Sequence, residues 1–266
     1  TGMANGGPQT HAACKTLQAA CVCEALPLVL LPGTLCDARM FAPLLDRLNL
    51  ADRTIVHGSY EGARSVDEAV ARLLASLPLR SILLGFSLGG IVALALARAA
   101  PDRIGAMVLS NSTPRSVDPI LHGDRRAEVD RARSIGTLDH VQMLLPRYLA
   151  DPTMSHNAAL VRAMATGSAH HLADQTELAL SRTDARAWLP ALVMPVLVVG
   201  GTQDSINPPS VQIEMASALP ASTLVLIEDA GHFAPLEQPD VFAAHLAAWL
   251  AQVDAREIST FKERQR

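Results

Sequence analysis

The chain has 266 residues, 49% of them hydrophobic, which suffices for one large core and is a common length for a single α/β domain. Charged residues make up 18% and the formal net charge is −4, which excludes the basic surface of a nucleic-acid-binding protein and favours a small partner. Aromatic residues are only 3%, so aliphatic side chains must build both the core and any pocket.

The apolar segments and the cysteines indicate where in the cell the protein is expected. No uninterrupted apolar run reaches the roughly 18 to 20 residues that cross a bilayer, and the first residues lack the pattern of a secretory signal. Cys14, Cys21, Cys23 and Cys36 show no metal-ligand spacing, which is typical of reduced, non-catalytic thiols. We therefore expect a cytoplasmic protein without membrane contact, whose segment 1–25 is partly disordered or holds a short strand.

Short apolar runs alternate with longer helical patterns along the chain. The runs predict strands at 26–31, 53–57, 80–86, 104–111, 195–201 and 223–229. The patterns between them predict helices at 38–49, 66–77, 88–100, 208–218 and 239–254. Because the strands are nearly continuous in hydrophobicity, both of their faces must be buried. The alternation predicts an α/β fold with a mostly parallel central sheet flanked by helices.

One long segment interrupts this alternation. From 114 to 190 the strand signal disappears, and the sequence becomes polar, helical and rich in Arg and His. We interpret 114–190 as an inserted helical cap over one edge of the sheet, with a core formed by 26–113 and 191–255. The charged tail 256–266 is expected to fray.

A serine between glycines joins the third predicted strand to the helix that follows it. The strand ends at Phe86 and the helix begins near Leu88, so the chain turns very tightly at Ser87 and needs glycine at positions 85 and 89. This G-x-S-x-G pattern predicts a nucleophile elbow with Ser87 as the nucleophile, the alternative being a structural glycine-rich turn.

A serine hydroxyl needs a base and an acid that orients the base. His232 follows the last predicted strand and should lie at the carboxyl edge of the sheet, the same edge as Ser87. Asp204 follows another buried strand and should lie there too. His57, which also ends a strand, is the main alternative base, and Asp229 is the alternative acid.

Four motifs carry a resemblance to a known family: "LLPGTLCDARMF", "LLGFSLGGIVALALARAAPDRI", "VLVVGGTQDSINPP" and "AGHFAPLEQP". Together with the chain order Ser87, Asp204, His232, they resemble the small serine esterases of the α/β-hydrolase fold that carry a helical cap, over about residues 26 to 250. The resemblance implies a carboxylic-ester hydrolase that forms an acyl enzyme and needs neither a metal nor an organic cofactor. The oligomeric state is not predicted.

The resemblance also implies an oxyanion hole made of two main-chain N–H groups. Leu88, which follows the nucleophile, supplies one of them. The other comes from the loop after the first strand, where relatives commonly have His-Gly-X and this chain has Pro-Gly-Thr at 32–34. Thr34 is the expected donor and Leu35 the alternative.

Serine at the elbow argues against the members of this fold that use an aspartate nucleophile. Phe233 stands where carbon–carbon bond hydrolases of the fold often carry tryptophan, which weakens that alternative. Ester hydrolysis is the simplest expectation. Thioesterase, lactonase, acyltransferase and C–C hydrolase activities stay open, as does a small-molecule binding protein with little turnover.

The predicted cap should line an aliphatic, uncharged pocket for a small ester or related acyl substrate. Candidate pocket residues are Leu35, Met143, Leu144, Tyr148, Trp188 and Phe233, with Leu145, Met154 and Met164 as further candidates. Four cap arginines are interpreted as a solvated helix face, with a basic rim for an anionic substrate or a carrier protein as the alternative: Arg125, Arg126, Arg131 and Arg133.

Overall fold

The computed structural model describes residues 25–51 and 53–264, so the expectations for 1–24, including Cys14, Cys21 and Cys23, lie outside the described residues. Six strands form, and each overlaps the apolar run that predicted it. They are β1 Leu28–Leu31, β2 Ile55–His57, β3 Ser81–Phe86, β4 Ile104–Ser110, β5 Val196–Gly201 and β6 Ser222–Ile227.

The strands form one parallel sheet in the order β2-β1-β3-β4-β5-β6. The strands β1, β3, β4 and β5 are buried along their whole length, as continuous apolar runs require. Because all six strands run the same way, the residues that follow β3, β4, β5 and β6 emerge at one edge of the sheet. This edge carries the candidate site.

Ten α-helices lie in the described chain. They are α1 Ala42–Leu45, α2 Val66–Ser76, α3 Leu88–Ala99, α4 His122–Ile135, α5 Thr137–Tyr148, α6 Ser155–Ser168, α7 Leu172–Leu180, α8 Pro209–Ala218, α9 Ala234–Glu237 and α10 Pro239–Arg264. Two sequence expectations about helices were wrong.

The first helix is much shorter than the predicted 38–49. A 3-10 helix covers Ala38–Phe41 and only four residues of α1 follow it. Pro43 has no N–H to donate to the carbonyl of Arg39, and the N–H of Ala42 bonds that carbonyl instead. This replaces the α-helical bond by the tighter 3-10 bond.

The last helix is longer than predicted, because α10 continues to Arg264 and the tail does not fray within the described residues. Two ion pairs tie it to the rest of the core. Arg53 Nη2 lies 2.6 Å from Asp254 Oδ2, and Arg80 Nη2 donates to Glu257 Oε1 at 3.0 Å. The second pair anchors Glu257, which belongs to the segment 256–266 that was expected to fray.

The helices α4 to α7 all lie between β4 and β5, and no described strand lies among them. The helix α4 packs against α5 and α7, and α5 packs against α6. The loops at the sheet edge contact this group: His232 N donates to Tyr148 O at 2.8 Å, and Leu35 N donates to Gln175 Oε1 at 2.9 Å. The boundaries at 113/114 and 190/191 stay predictions.

The core lies on both faces of the sheet. Alternate side chains of β1 separate, with Leu28 and Leu30 in one cluster and Val29 and Leu31 in the other. The first cluster is completed by α1, α9 and α10, and the second by α2, α3 and α8. Among the described helices, none is both long and apolar enough to span a bilayer.

Candidate active site

Ser87 lies between β3 and α3 in a strained conformation, with φ 50° and ψ −110°. Its main chain is held on both sides. Ser87 N donates to Ser110 O at 2.9 Å, and Ser112 Oγ donates to Ser87 O at 2.9 Å. The residues that follow β4 therefore hold the elbow that follows β3.

The glycines around Ser87 are required by close approaches of the backbone. A Cβ at Gly85 would lie 2.5 Å from Gly89 O, which is the collision expected from the sequence. A Cβ at Gly89 would lie 2.0 Å from Leu31 O, at the end of β1. Gly89 thus permits α3 to pack directly against the neighbouring strand.

His232 lies in the loop after β6, with its ring buried beside the nucleophile candidate. Its Nε2 is 3.0 Å from Ser87 Oγ, and its Nδ1 is 2.9 Å from Asp204 Oδ2. The ring packs at 5.2 Å, centroid to centroid, from the ring of Phe86. The structure therefore brings together the three side chains that the sequence placed far apart.

The carboxylate of Asp204 is completely buried after β5, and both of its oxygens accept hydrogen bonds. Oδ1 accepts from the N–H of Ile206 at 2.8 Å and of Asn207 at 3.0 Å, while Oδ2 accepts from Asn111 Nδ2 at 3.0 Å and bonds His232. Burial raises the pKa of Asp204, but the bonds from His232, Asn111 and the main chain outweigh it. The net pKa lies below its ordinary value.

Asn111 was not singled out by sequence reasoning. It is buried at the end of β4 with φ 50°, a conformation that asparagine tolerates better than most residues. Its Nδ2 also donates to Gly231 O at 3.1 Å, so one amide bonds both the Asp204 carboxylate and the loop that carries His232. An asparagine ending a buried strand at the active edge is the signal that could have found it.

Glu237, in α9, was also missed. Its Oε1 accepts from the N–H of Gly231 at 3.0 Å and of Phe233 at 3.1 Å, and its Oε2 accepts from Ala150 N at 2.7 Å. Burial raises the pKa of this carboxyl although the three amides favour its charged form. Glu237 therefore ties both neighbours of His232 to the chain that follows α5.

The alternative base and acid lie elsewhere. His57 is exposed at the end of β2 and lines a separate cavity. Asp229 is exposed in the turn after β6 at φ 53°, and its Oδ1 accepts from Gln203 Nε2 at 3.4 Å. The structure brings neither of them to Ser87.

Three main-chain N–H groups are candidates for an oxyanion hole, since Thr34, Leu35 and Leu88 line one cavity together with Ser87. Leu35 has φ 56°, and its N–H is already bonded to Gln175 of α7. The N–H groups of Thr34 and Leu88 make no hydrogen bond within the described residues. These two are the available donors.

Cys36, beside this loop, is buried. Burial raises the pKa of its thiol, and its Sγ donates to Thr34 O at 3.3 Å. A protonated, buried thiol of this kind packs and does not act as a nucleophile.

A cavity of about 430 Å³ covers Ser87 and His232. Four of the six predicted pocket residues line it: Leu35, Leu144, Tyr148 and Phe233. The prediction for Met143 was wrong, because its side chain is 64% exposed on the outer face of α5. Trp188 was also placed wrongly: its half-buried side chain does not line this cavity but packs against the core cluster that contains residues of α3, with the guanidinium of Arg98 5.1 Å from the ring centroid.

The expectation of an uncharged pocket was wrong as well. The cavity wall contains four arginines and one carboxylate: Arg115, Arg125, Arg147, Arg182 and Glu128. Of the four arginines that the sequence suggested as a rim, only Arg125 lines the cavity. Arg126 instead pairs with Glu177 of α7 at 2.7 Å.

No group of three or more His, Cys, Asp and Glu side chains in the described ranges is arranged to hold a metal ion. The expectation that no metal or cofactor is needed stays a prediction.

Three similar proteins are named as esterases. A pimeloyl-[acyl-carrier protein] methyl ester esterase from Aliivibrio salmonicida is 28% identical over 246 residues, which is 87% of this chain and 94% of the relative. One from Neisseria meningitidis serogroup B (strain ATCC BAA-335 / MC58) is 29% identical over 199 residues, 71% of this chain and 76% of the relative. A thermophilic esterase from Thermogutta terrifontis, solved with malate bound, has a TM-score of 0.76 at 27% identity, covering 86% of this chain and 90% of that one.

Family membership follows from these observations taken together. The parallel sheet, the elbow at Ser87 and the cap helices between β4 and β5 occur in one chain. The family model described as alpha/beta hydrolase fold matches residues 38–239, which is more than half of the chain. The chain therefore belongs to the α/β-hydrolase fold family.

Proposed function

We propose that this protein is a serine hydrolase that cleaves a small carboxylic ester through an acyl-enzyme intermediate. The observation that carries the proposal is the unbroken hydrogen-bonded chain from Ser87 Oγ through both ring nitrogens of His232 to Asp204 Oδ2. Ser87 and His232 of this hydrogen-bonded series line a cavity that is large enough for a small ligand. The esterases among the similar proteins support the same activity.

In the acylation step, His232 lies close enough to Ser87 to accept its hydroxyl proton. Ser87 Oγ attacks the ester carbonyl carbon while His232 Nε2, at 3.0 Å, takes the hydroxyl proton. Asp204 holds the other ring nitrogen as the proton donor of their hydrogen bond, which keeps Nε2 free to accept. His232 then gives its proton to the leaving alcohol, and the acyl group stays on Ser87.

Negative charge develops on the former carbonyl oxygen during this attack. The N–H groups of Leu88 and Thr34 supply its hydrogen bonds in our proposal. The N-terminus of α3, which begins at Leu88, adds a favourable dipole at the same place.

Deacylation repeats these steps with water. His232 takes a proton from the water as its oxygen attacks the acyl carbon, and Ser87 Oγ leaves with the proton that His232 returns. No metal ion is required in this scheme.

The curated relatives suggest a narrower substrate class. They are named for the methyl ester of an acyl group on acyl-carrier protein, so we propose methyl esters of medium-length acyl chains as substrates. The expected cytoplasmic location and the expected absence of nucleic-acid and membrane partners stay predictions.

A labelling experiment with matched variants tests the activity. A fluorophosphonate probe should label the purified protein at Ser87, and Ser87→Ala should abolish both labelling and hydrolysis of p-nitrophenyl and methyl esters. Ser134→Ala, an exposed serine on α4, serves as the control and should keep both. Unlabelled wild-type protein that binds small acyl compounds tightly without hydrolysing any ester would instead indicate a binding protein.

A further inference from the structure

Positive charge is concentrated on the cap side of the active-site cavity. The arginines Arg115, Arg125, Arg147 and Arg182 line it, and all four lie in the segment between β4 and β5. The lining contains one carboxylate, Glu128. Arg115 is paired with Glu214 at 2.7 Å and Arg125 with Glu128 at 3.5 Å, so among the described residues Arg147 and Arg182 are the lining arginines without a carboxylate partner.

Arg182 differs from the other cap arginines in its partners. It is half-buried, its Nε donates to Arg115 O at 2.8 Å, and its Nη1 donates to Ala179 O at 2.8 Å. It forms no ion pair with a carboxylate among the described residues. Two carbonyls thus hold the guanidinium in a fixed orientation while its charge stays uncompensated.

The surroundings of Arg182 favour an incoming anion. Burial, and then the neighbouring charge of Arg125, lower the pKa of Arg182 to about 10, so the group is still a cation at neutral pH. Arg125 itself is only loosely paired, with its Nη1 3.5 Å from Glu128 Oε2. Of these two cations only Arg125 is paired with a carboxylate, so an incoming anion would relieve the repulsion between them.

We propose that Arg182 and Arg125 form an anion subsite in the active-site cavity, which binds a carboxylate or phosphate that the substrate carries at a distance from its scissile ester. The inference rests on the proposed hydrolase function and names its substrate class. The sheet edge supplies the reacting groups and the cap supplies the cations, so the substrate spans the cavity from Ser87 to Arg182. A planar guanidinium suits either kind of anion.

Three p-nitrophenyl esters of equal chain length test the subsite, each with a different group at the far end of the acyl chain: a carboxylate, a phosphonate or a neutral carboxamide. For the wild-type protein, kcat/KM for an anionic ester should exceed that for the carboxamide roughly tenfold to hundredfold, as expected for a hydrogen bond between charged groups. The larger of the two anionic values identifies which anion the subsite takes.

Variants assign the preference to the subsite. Arg182→Gln should bring the ratio of anionic to neutral kcat/KM close to one, and Arg125→Gln should lower it severalfold, which provides a second test if the first variant is unstable. The control is Arg133→Gln, an exposed arginine of α4 that does not line the cavity and pairs with Asp130 at 3.3 Å; it should keep the wild-type ratio.

The outcomes separate the two proposals. If the wild-type protein hydrolyses the carboxamide ester as fast as the anionic esters, the subsite is wrong and the hydrolase function stands. An equal preference for anions in Arg182→Gln, Arg125→Gln and Arg133→Gln would also overturn the subsite. If no ester is cleaved and the probe does not label Ser87, both proposals fail.

Discussion

The Asp204 carboxylate accepts two hydrogen bonds on each oxygen, and this fixes its orientation toward His232. Two donors on Oδ1 are main-chain amides of the adjoining loop, while Oδ2 is shared between Asn111 and His232. An amide in place of the carboxylate would have to turn its NH₂ toward one of these pairs of donors. Position 204 therefore requires a carboxylate, both for its negative charge and for its two accepting oxygens.

Asp204→Asn should lower kcat by roughly 10⁴, because the amide cannot hold His232 with Nε2 free to accept a proton. Steady-state kinetics on a p-nitrophenyl ester measure the loss, and circular dichroism checks the fold. Asp229→Asn, a change at the exposed alternative acid, should stay near the wild-type rate. Near-normal kcat for Asp204→Asn together with a large loss for Asp229→Asn would reverse the assignment.

We expect Asn111 to act on the reaction through Asp204, as a positioning residue, because its Nδ2 donates to Asp204 Oδ2. Asn111→Gly keeps the backbone conformation at φ 50° while it removes the amide donor. Asn111 is one of the groups that lower the pKa of Asp204, so this pKa should rise in the variant, and the acidic limb of the kcat/KM profile should move to higher pH. Asn111→Asp places a second negative charge beside Asp204 and should move the limb further in the same direction.

An unchanged acidic limb in both Asn111 variants would contradict this role.

The stability of the fold should also depend on the ionisation of the Asp204 carboxyl. Because the pKa of Asp204 is lowered by folding, its contribution to stability is present above its ordinary pKa and is lost as the pH falls through the lowered value. Urea unfolding at several pH values measures it. In Asn111→Gly the loss should be smaller and should end at a higher pH, because the folded-state pKa of Asp204 lies closer to its ordinary value.

At the scale of elements, the site depends on how closely α3 approaches β1. Gly89 lies in the first turn of α3, and its Cα faces the carbonyl groups that end β1. The same strand end leads into the loop that carries Thr34. The packing of one helix on one strand therefore sets the distance between the two proposed oxyanion donors.

Gly89→Ala should destabilise the protein by at least about 3 kcal/mol, because the new Cβ would lie 2.0 Å from Leu31 O and backbone atoms cannot move aside cheaply. Urea unfolding measures the loss. The control is Gly123→Ala on α4, where nothing lies within 4 Å of the added Cβ, and it should be neutral or stabilising by up to about 1 kcal/mol. Equal stabilities of the two variants would show that the contact is not required.

At the scale of the whole molecule, the cap and the sheet edge meet at the loop of His232. Tyr148 O bonds the N–H of His232, and Glu237 bonds the N–H of Ala150 as well as both neighbours of His232. The position of the candidate base is thus coupled to the position of α5, which also supplies Leu144 and Tyr148 to the cavity wall.

Glu237→Gln should lower kcat/KM. The NH₂ group of the new amide would face either the N–H of Ala150 or the N–H groups of Gly231 and Phe233, and two donors cannot bond each other. The substitution should also change how stability depends on pH. The pKa of Glu237 is raised by folding, so the wild-type protein loses stability as the pH rises from the ordinary glutamate pKa, about 4.3, through the raised value. The stability difference, wild type minus Glu237→Gln, should fall over that range, and a difference independent of pH would contradict the assignment.

The sequence predicted the strands and the three candidate side chains because their signals are local. A buried parallel strand is a continuous apolar run, and Ser87, Asp204 and His232 each follow such a run directly. The cavity wall could not be predicted in the same way. Met143 and Leu144 are adjacent on α5, yet only Leu144 lines the cavity, because the orientation of α5 is set by its contacts with α4 and α6.

By itself the sequence determined the order of the elements, the edge of the sheet where reactive groups gather, and the turn that exposes Ser87. Only the tertiary structure decided which helix faces turn inward, that Asn111 and Glu237 hold the loop of His232, and that Arg182 lines the cavity with its guanidinium bonded to two carbonyls. Strands and tight turns depend on residues next to one another in the chain. Pairing and orientation depend on contacts between residues that are distant in sequence, such as Asn111 and Asp204.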